Sequence, residues 1–284
     1  MDSPKIKLGI VGFPLSHTLS PIMHEAALKS LGLNGEYLIY EIPEDELSLK
    51  INGFKKTLTG LNVTIPYKTK VMEYVDELSD NAKLIGAVNT LIFRDGKIIG
   101  ENTDIIGFWD SIDKDYKDHI QEIDSAVIGY GGSSLSVCVA LIKNNIKSIT
   151  IFGRDQNKLN IFLDNLNTKK KILNSNTNIS VRSLQKINLS QISFLINTTP
   201  LGMSPNTDSS PVSRNDLSAL SKNALVYDLI YNPSMTKLLK DSADLGFRIQ
   251  NGLDMLVRQG AASLSLWLNK DEVPITIMKE SLTH

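Results

Sequence analysis

An α/β fold with two domains, one of them a doubly wound parallel sheet, is what this chain predicts, and three observations predict it. Apolar strand patterns alternate with helical patterns through its second half, the order that links parallel strands by crossover helices. A strand, a glycine turn and a helix start open that half at Ala126–Ser134. The length, 284 residues, suits two domains of ordinary size.

Composition narrows the class. The hydrophobic share of 42% and charged share of 21% allow a proper core. A formal net charge of −1 gives no reason to expect a nucleic-acid or anionic-membrane partner. Cys138 is the single cysteine and lies in an apolar helical pattern, so it reads as a structural thiol. The opening residues lack the apolar core of a signal peptide. No stretch approaches the roughly 18 apolar residues of a membrane span. The expectation is a soluble cytoplasmic protein with small-molecule partners.

Taken in order, Ile6–Gly12 reads as a buried strand, followed by a loop with His17, Thr18 and Ser20. Ser20-Pro21 predicts a helix start, Ser20 as N-cap, with Gly32 closing the helix. The two hydroxyls serve as caps or, in a loop between strand and helix, as polyol ligands. Tyr37–Ile42 reads as a second strand. Leu61-Asn62-Val63-Thr64-Ile65 alternates as a third, with Asn62 and Thr64 on one face. Pro66 ends it, and Tyr67–Leu84 has helical spacing at Val71, Met72, Val75 and Leu78. Lys68 then lies at a helix N-terminus, whose partial positive charge disfavours an ammonium and suits proton transfer. Taken alone it is an ordinary surface lysine.

Gly86–Thr90 leads into a hairpin, Leu91–Phe93 and Lys97–Gly100, turned by Arg94-Asp95-Gly96. The hairpin ends at Asn102-Thr103-Asp104, an N-cap cluster or a carboxylate aimed at a ligand. Next come Gly129, Gly131 and Gly132, then Ser133, with Ser134 at the third position of a dinucleotide fingerprint. Such a turn sets backbone N–H groups and a helix N-terminus against a pyrophosphate. Ser148–Phe152 is the following strand. Arg154, Asp155 and Lys158 lie at its end, about 20 residues past the glycines, where ribose recognition is expected. Further strands are predicted at Ser193–Thr198, Leu225–Tyr231 and Phe247–Gln250. Asn165–Asn178 reads as a solvated connection. A final helix follows Gly252, with Gln259 either exposed or functional. The four histidines show no metal-ligand spacing.

Together, Ser16–Pro21, Asn62–Lys68, Gly86–Thr90, Asn102–Asp104, the glycine turn, Asn197–Met203, Tyr227–Pro233 and Gly252–Gln259 resemble the shikimate dehydrogenase family, in the family's order and over nearly the whole chain. The resemblance implies an NADP-linked oxidoreductase that reduces 3-dehydroshikimate to shikimate in aromatic amino-acid (chorismate) biosynthesis. It implies a substrate domain at 1–104 plus 253–284 and a Rossmann-type nucleotide domain at 105–252. Lys68 and Asp104 match the catalytic pair. Thr18, Ser20, Asn62, Thr64, Asn89 and Gln259 match substrate ligands, and Tyr231 a tyrosine near nicotinamide and substrate. Gly129, Gly131, Gly132, Ser133, Arg154, Asp155, Lys158, Thr198, Met203 and Gly252 match cofactor positions. No metal is implied, and a homodimer is admitted.

The chain departs from the family pattern at four places. Thr18 stands where serine is usual, which bears on shikimate against quinate. Tyr130 replaces a small residue in the glycine turn, and Leu135 stands where a basic one is common. The usual Asn-Arg-Thr phosphate clamp reads Gly153-Arg154-Asp155. Arg154 and Lys158 suit a 2′-phosphate; Asp155 repels it, or accepts from a ribose hydroxyl as NAD sites do, or caps the next helix.

Overall fold

The computed structural model describes residues 5–15 and 18–283, so Ser16 and His17 of the first motif lie outside the described residues. The chain divides into two compact units, Met1–Gly107 with Leu256–His284, and Phe108–Met255.

The first unit holds a mixed sheet of β1 (Ile6–Gly12), β2 (Gly35–Glu41), β3 (Gly60–Val63), β4 (Glu77–Leu78), β5 (Thr90–Arg94) and β6 (Lys97–Glu101), in the order β2-β1-β3-β5-β6-β4. β1 runs parallel to β2 and β3, while β5 is antiparallel to β3 and β6. Strand alternation sends side chains to two cores. Val11, Leu61, Val63 and Leu91 join Leu47, Ile51, Tyr67 and Val71 on one face. Leu8, Ile10 and Ile92 join Met23, Leu28, Leu264 and Trp267 on the other. The hairpin turns at Asp95 and Gly96, both at positive φ (51° and 70°), as a two-residue turn of twisted strands requires.

Two expectations fail here. Tyr67–Leu84 is not one helix: a 3-10 turn at Lys70–Tyr74 gives way to β4, and a short helix covers Asp80–Ile85, capped by Ser79. The apolar spacing is real, but β6 has an open edge there. Asp76 fills it, donating its N–H to Ile98 O (2.8 Å) and accepting from Ile98 N (2.7 Å). Edge pairing overrides local periodicity. Ser20, in turn, is the first residue of the helix Ser20–Ser30, which begins without a side-chain cap.

The second unit is all parallel: β7 (Asp124–Ile128), β8 (Ser148–Gly153), β9 (Asn178–Ser183), β10 (Phe194–Asn197), β11 (Leu225–Asp228) and β12 (Arg248–Asn251), ordered β12-β11-β10-β7-β8-β9. The direction of winding reverses between β7 and β10, the doubly wound arrangement that places ligands at the carboxyl ends of those strands. Apolar residues fill one face around Ile128, Leu195 and Val226, and Phe108, Phe194 and Tyr227 stack within the unit. The predicted connection at Asn165–Asn178 is a correction. A helix runs from Gln156 to Ile172, burying Leu159, Phe162 and Leu166, and its three last-turn lysines suit the negative helix end. β9 then starts at Asn178.

Candidate active site

Strand order assembles the first unit's polar groups at one sheet end. Thr90 at the start of β5 pairs with Asn62 near the end of β3 and with Glu101 at the end of β6. Asn89 therefore lies beside Asn102–Asp104, and the turn after β3 brings Lys68 to the same end. That turn is held by Tyr67 N–H on Thr64 O (2.9 Å), and Val88 N–H donates to Lys68 O (2.6 Å).

Lys68 Nζ donates to Asp104 Oδ2 at 2.7 Å, with the lysine side chain 33% exposed and the aspartate 16%. Asp104 Oδ1 accepts from Asn89 Nδ2 at 2.9 Å. Its backbone N–H donates to Asn102 Oδ1 (3.1 Å), and Asn102 Nδ2 anchors to Ala87 O (3.0 Å). The carboxylate thus has both oxygens engaged while the ammonium keeps an open side. Such a pair can pass a proton to or from a ligand oxygen. The helix mouth expected at Lys68 is absent; Asp104 and the partial exposure define its setting instead.

The remaining predicted substrate positions separate into two kinds. Thr18, Thr64 and Gln259 are half-buried. Thr18 Oγ1 accepts from Ser20 N–H (3.2 Å), and Gln259 Nε2 donates to Leu256 O (2.8 Å). Gly107 lets the Gln259 backbone approach: a Cβ there would sit 2.8 Å from Gln259 N. Asn62 is different. It is 5% exposed, its Oδ1 accepts from Tyr37 Oη (2.8 Å), and its Nδ2 faces Asn89 O, Thr90 Oγ1 and Ser263 Oγ at 3.1–3.3 Å. Both its polar atoms have partners inside the protein. Tyr37 is fully enclosed, and burial holds its hydroxyl well above the usual tyrosine range, with Ser20 bonding to it. Ser20 is likewise buried.

Sequence reasoning overlooked Tyr37, Thr90, Thr103 and Ser263. Thr90 and Thr103 end or lie within motifs already noticed, so adjacency was a signal. Ser263 had none, being 201 residues from Asn62 in the chain.

In the second unit, Gly129 turns at φ +112°, its N–H on Phe152 O (2.9 Å). A Cβ at Gly129 would lie 2.6 Å from Thr198 Oγ1, whereas one at Gly131 or Gly132 would meet nothing. Gly131, Gly132 and Ser133 are exposed at the start of the helix Gly132–Lys143, which carries no side-chain cap. Ser134, at the third fingerprint position, is buried and donates to Gly129 O (2.8 Å). The loop is an open cradle of N–H donors, the form that receives phosphate.

The departures from pattern at β8 explain one another. A Cβ on Gly153 would be 2.4 Å from the Tyr130 ring, so that ring fills the space of a side chain at 153. Arg154 and Lys158 are exposed. Asp155 Oδ1 accepts from Asn157 N (2.9 Å) and Lys158 N (3.1 Å), so the carboxylate caps the next helix, one of the three roles its position admitted. Thr198 donates its hydroxyl to Ile128 O (2.7 Å), Met203 is 45% exposed, and Gly252 is buried against Leu229, whose carbonyl leaves no room for a Cβ. Tyr231 is half-buried, which raises its pKa.

Among the described residues, no group of three or more His, Cys, Asp or Glu is placed to hold a metal ion, and no helix is long and apolar enough to cross a membrane.

Comparison with known proteins agrees with this arrangement. Residues 10–91 match the shikimate dehydrogenase substrate binding domain, and 252–283 the shikimate 5'-dehydrogenase C-terminal domain. A shikimate dehydrogenase (NADP(+)) of Methanococcus maripaludis is 40% identical over 99% of this chain and 98% of its own length. The crystal structure of a shikimate dehydrogenase in complex with NADP+ superposes with TM-score 0.86 at 35% identity, over 98% of this chain and 94% of that one. The Listeria monocytogenes shikimate 5-dehydrogenase, solved with shikimate and NAD, gives TM-score 0.86 at 29% identity, over 98% and 96% of the two chains. With relatives this similar along essentially its full length, and an amine, a carboxylate and a phosphate cradle built from the family's motifs, the chain belongs to the shikimate dehydrogenase family.

Proposed function

We propose that this protein is a shikimate dehydrogenase, reducing 3-dehydroshikimate to shikimate reversibly with NADPH on the way to chorismate and the aromatic amino acids. The observation that carries the reading is the Lys68–Asp104 pair, 2.7 Å apart, with Asn89 on the second carboxylate oxygen. During reduction, negative charge grows on the ketone oxygen. The Lys68 ammonium stabilises that charge and supplies the proton; in the reverse direction the amine takes the proton from the hydroxyl. Asp104 keeps the amine aimed. Thr18, Ser20, Thr64, Asn89 and Gln259 hold the ring hydroxyls and carboxylate, Tyr231 contributes to the substrate site, and Asn62 supports the set from within. A site lined with buried polar groups rejects substrates that leave them unpaired.

NADPH, when bound, supplies the hydride, and NADP+ takes it up in the reverse direction. Gly129, Gly131, Gly132 and Ser133 fit its pyrophosphate, because the cradle has open space and free N–H donors. Arg154 and Lys158 suit the 2′-phosphate, with Thr198, Met203 and Gly252 completing the nucleotide set. Asp155 gives one carboxylate oxygen to its helix cap and has less to offer a ribose hydroxyl, which supports NADP over NAD. Residues 1–104 with 253–284 act as the substrate domain, and 105–252 as the nucleotide domain.

Lys68→Ala is expected to lower kcat at least about 100-fold with little change in nucleotide binding; an unchanged rate overturns the role. Parallel rates with shikimate and quinate, and with NADP and NAD, settle the substrate. Quinate turnover matching shikimate turnover moves the assignment to a quinate/shikimate dehydrogenase, the alternative that Thr18 leaves open. No turnover at all leaves a nucleotide-binding regulator. The same proposal places the protein in the cytoplasm, with small-molecule partners and no nucleic-acid partner, which its net charge of −1 supports. A homodimer fits the edge strand β2, where Leu38 and Ile39 are 43% and 49% exposed. A monomer mass by sedimentation would remove that part.

A further inference from the structure

We infer that Thr90 and Ser263 are positioning residues for the reaction, acting through the amide of Asn89 on the carboxylate of Asp104. The inference rests on the acid–base reading of Lys68 and Asp104. Its geometry is independent of which acid is the substrate.

The orientation of the Asn89 amide is decided by a group that can only donate. Thr103 N–H lies 2.8 Å from Asn89 Oδ1, so that atom is the acceptor and Nδ2 faces Asp104. Rotated the other way, the amide would set an oxygen against a carboxylate oxygen. Two hydroxyls lie against the same oxygen, Thr90 Oγ1 at 3.0 Å and Thr103 Oγ1 at 3.2 Å. Thr90 Oγ1 also pairs with Ser263 Oγ at 2.8 Å and accepts from Asn62 Nδ2 at 3.3 Å.

Ser263 closes the array. Its Oγ lies 3.1 Å from Asn62 Nδ2, 3.3 Å from Thr103 Oγ1 and 3.0 Å from Gln259 O. One hydroxyl of the helix Leu253–Leu268 thus touches β3, β5 and Thr103, the residue before Asp104, and also the backbone of Gln259. Thr90, Thr103 and Ser263 are all fully buried, and Asn62 and Asn89 nearly so. In such surroundings each polar partner lost leaves another group unsatisfied, so the array has few alternative arrangements. Thr90 and Ser263, buried behind Asn89, thus hold the catalytic carboxylate in place at one remove.

A purely structural role, fastening helix to sheet, would change stability and leave the turnover of folded enzyme alone. The test therefore compares Thr90→Val, which keeps the shape and drops the hydroxyl, with Thr90→Ser, which keeps the hydroxyl. Ser263→Ala is added at the other end. Steady-state kcat and KM are measured on material whose fold is checked by circular dichroism. Thr90→Val and Ser263→Ala are expected to lower kcat about 10-fold, as loss of aim at a reacting group does, with KM within about threefold. Thr90→Ser is expected to stay within about threefold of wild type in both. Wild-type kcat in folded Thr90→Val overturns the inference, and so does a Thr90→Ser rate as low as that of Thr90→Val. If Ser263→Ala does not fold, the Thr90 pair decides alone. Rates are taken as variant-to-wild-type ratios on whichever of shikimate or quinate the wild type oxidises. Failure of the substrate assignment is thereby distinct from failure of the positioning role.

Discussion

His24 should make the first unit sensitive to mild acid, through a mechanism that one substitution removes. The side chain is fully buried, and neither ring nitrogen has a hydrogen-bond partner. It stacks on Tyr37 at 4.6 Å, with Trp267 at 5.4 Å. Charging the ring there would place an unpaired cation in an apolar pocket, so burial lowers its pKa from 6.5 to about 3. Because the folded value lies below the unfolded one, the unfolded chain binds the proton first. The associated stability is complete above pH 6.5 and is lost as pH falls toward 3. Each pH unit in that window removes about 1.4 kcal/mol. At pH 5 the loss from this group is about 2 kcal/mol, or a fall of about 4–8 °C in Tm for a unit of this size. The assay is thermal unfolding of wild type and His24→Phe at pH 7, 6 and 5, following the first unit. Phe keeps a ring on Tyr37 and cannot titrate, and His24→Leu guards against overpacking by Phe. The gap in Tm between variant and wild type should shift in the variant's favour by that amount from pH 7 to pH 5. Curves that fall in parallel would refute the reasoning, whatever their absolute positions.

The second unit carries a group of opposite sign. Asp228 is fully buried, and burial raises its carboxyl to about 6 despite bonds from Thr236, Ile230 N–H and Asn197. Its folded pKa exceeds the unfolded 3.8, so the contribution is full below 3.8 and is lost as pH rises through 6. Asp228→Asn should gain on wild type by about 3 kcal/mol between pH 3.8 and 7, read from urea unfolding of that unit; a gap independent of pH would be the contrary result. At the glycine turn, Gly153→Asn should cost about 1–3 kcal/mol by displacing the Tyr130 ring. Combined with Tyr130→Ala, that cost should largely disappear, and strictly additive losses in the double-mutant cycle would show that the two positions are not coupled.

Much of this protein was legible in its sequence wherever one local pattern had no rival. The glycine turn before Gly132, the two-residue hairpin at Asp95-Gly96 and the alternating apolar strands follow from backbone freedom and side-chain periodicity alone. The region after Lys68 shows where that logic stops. Its apolar spacing was helical, yet the open edge of β6 recruited Asp76–Leu78 as a strand partner, a demand that lies more than twenty residues away. Asp155 shows the same limit on a smaller scale, since only the backbone geometry revealed its helix cap.

For the site, the chain itself determined the chemical inventory: an amine, a carboxylate, amides, hydroxyls and a phosphate cradle, each within a recognisable motif. Tertiary structure alone decided their division of labour. Asn62 became an internal support, with Tyr37 on its oxygen and Ser263 facing its nitrogen. Ser263 entered the array from the far end of the polypeptide. Hydrogen bonding is short-ranged and directional, so which polar groups satisfy one another is fixed by sheet register and helix docking, and those are settled by contacts between segments distant in sequence.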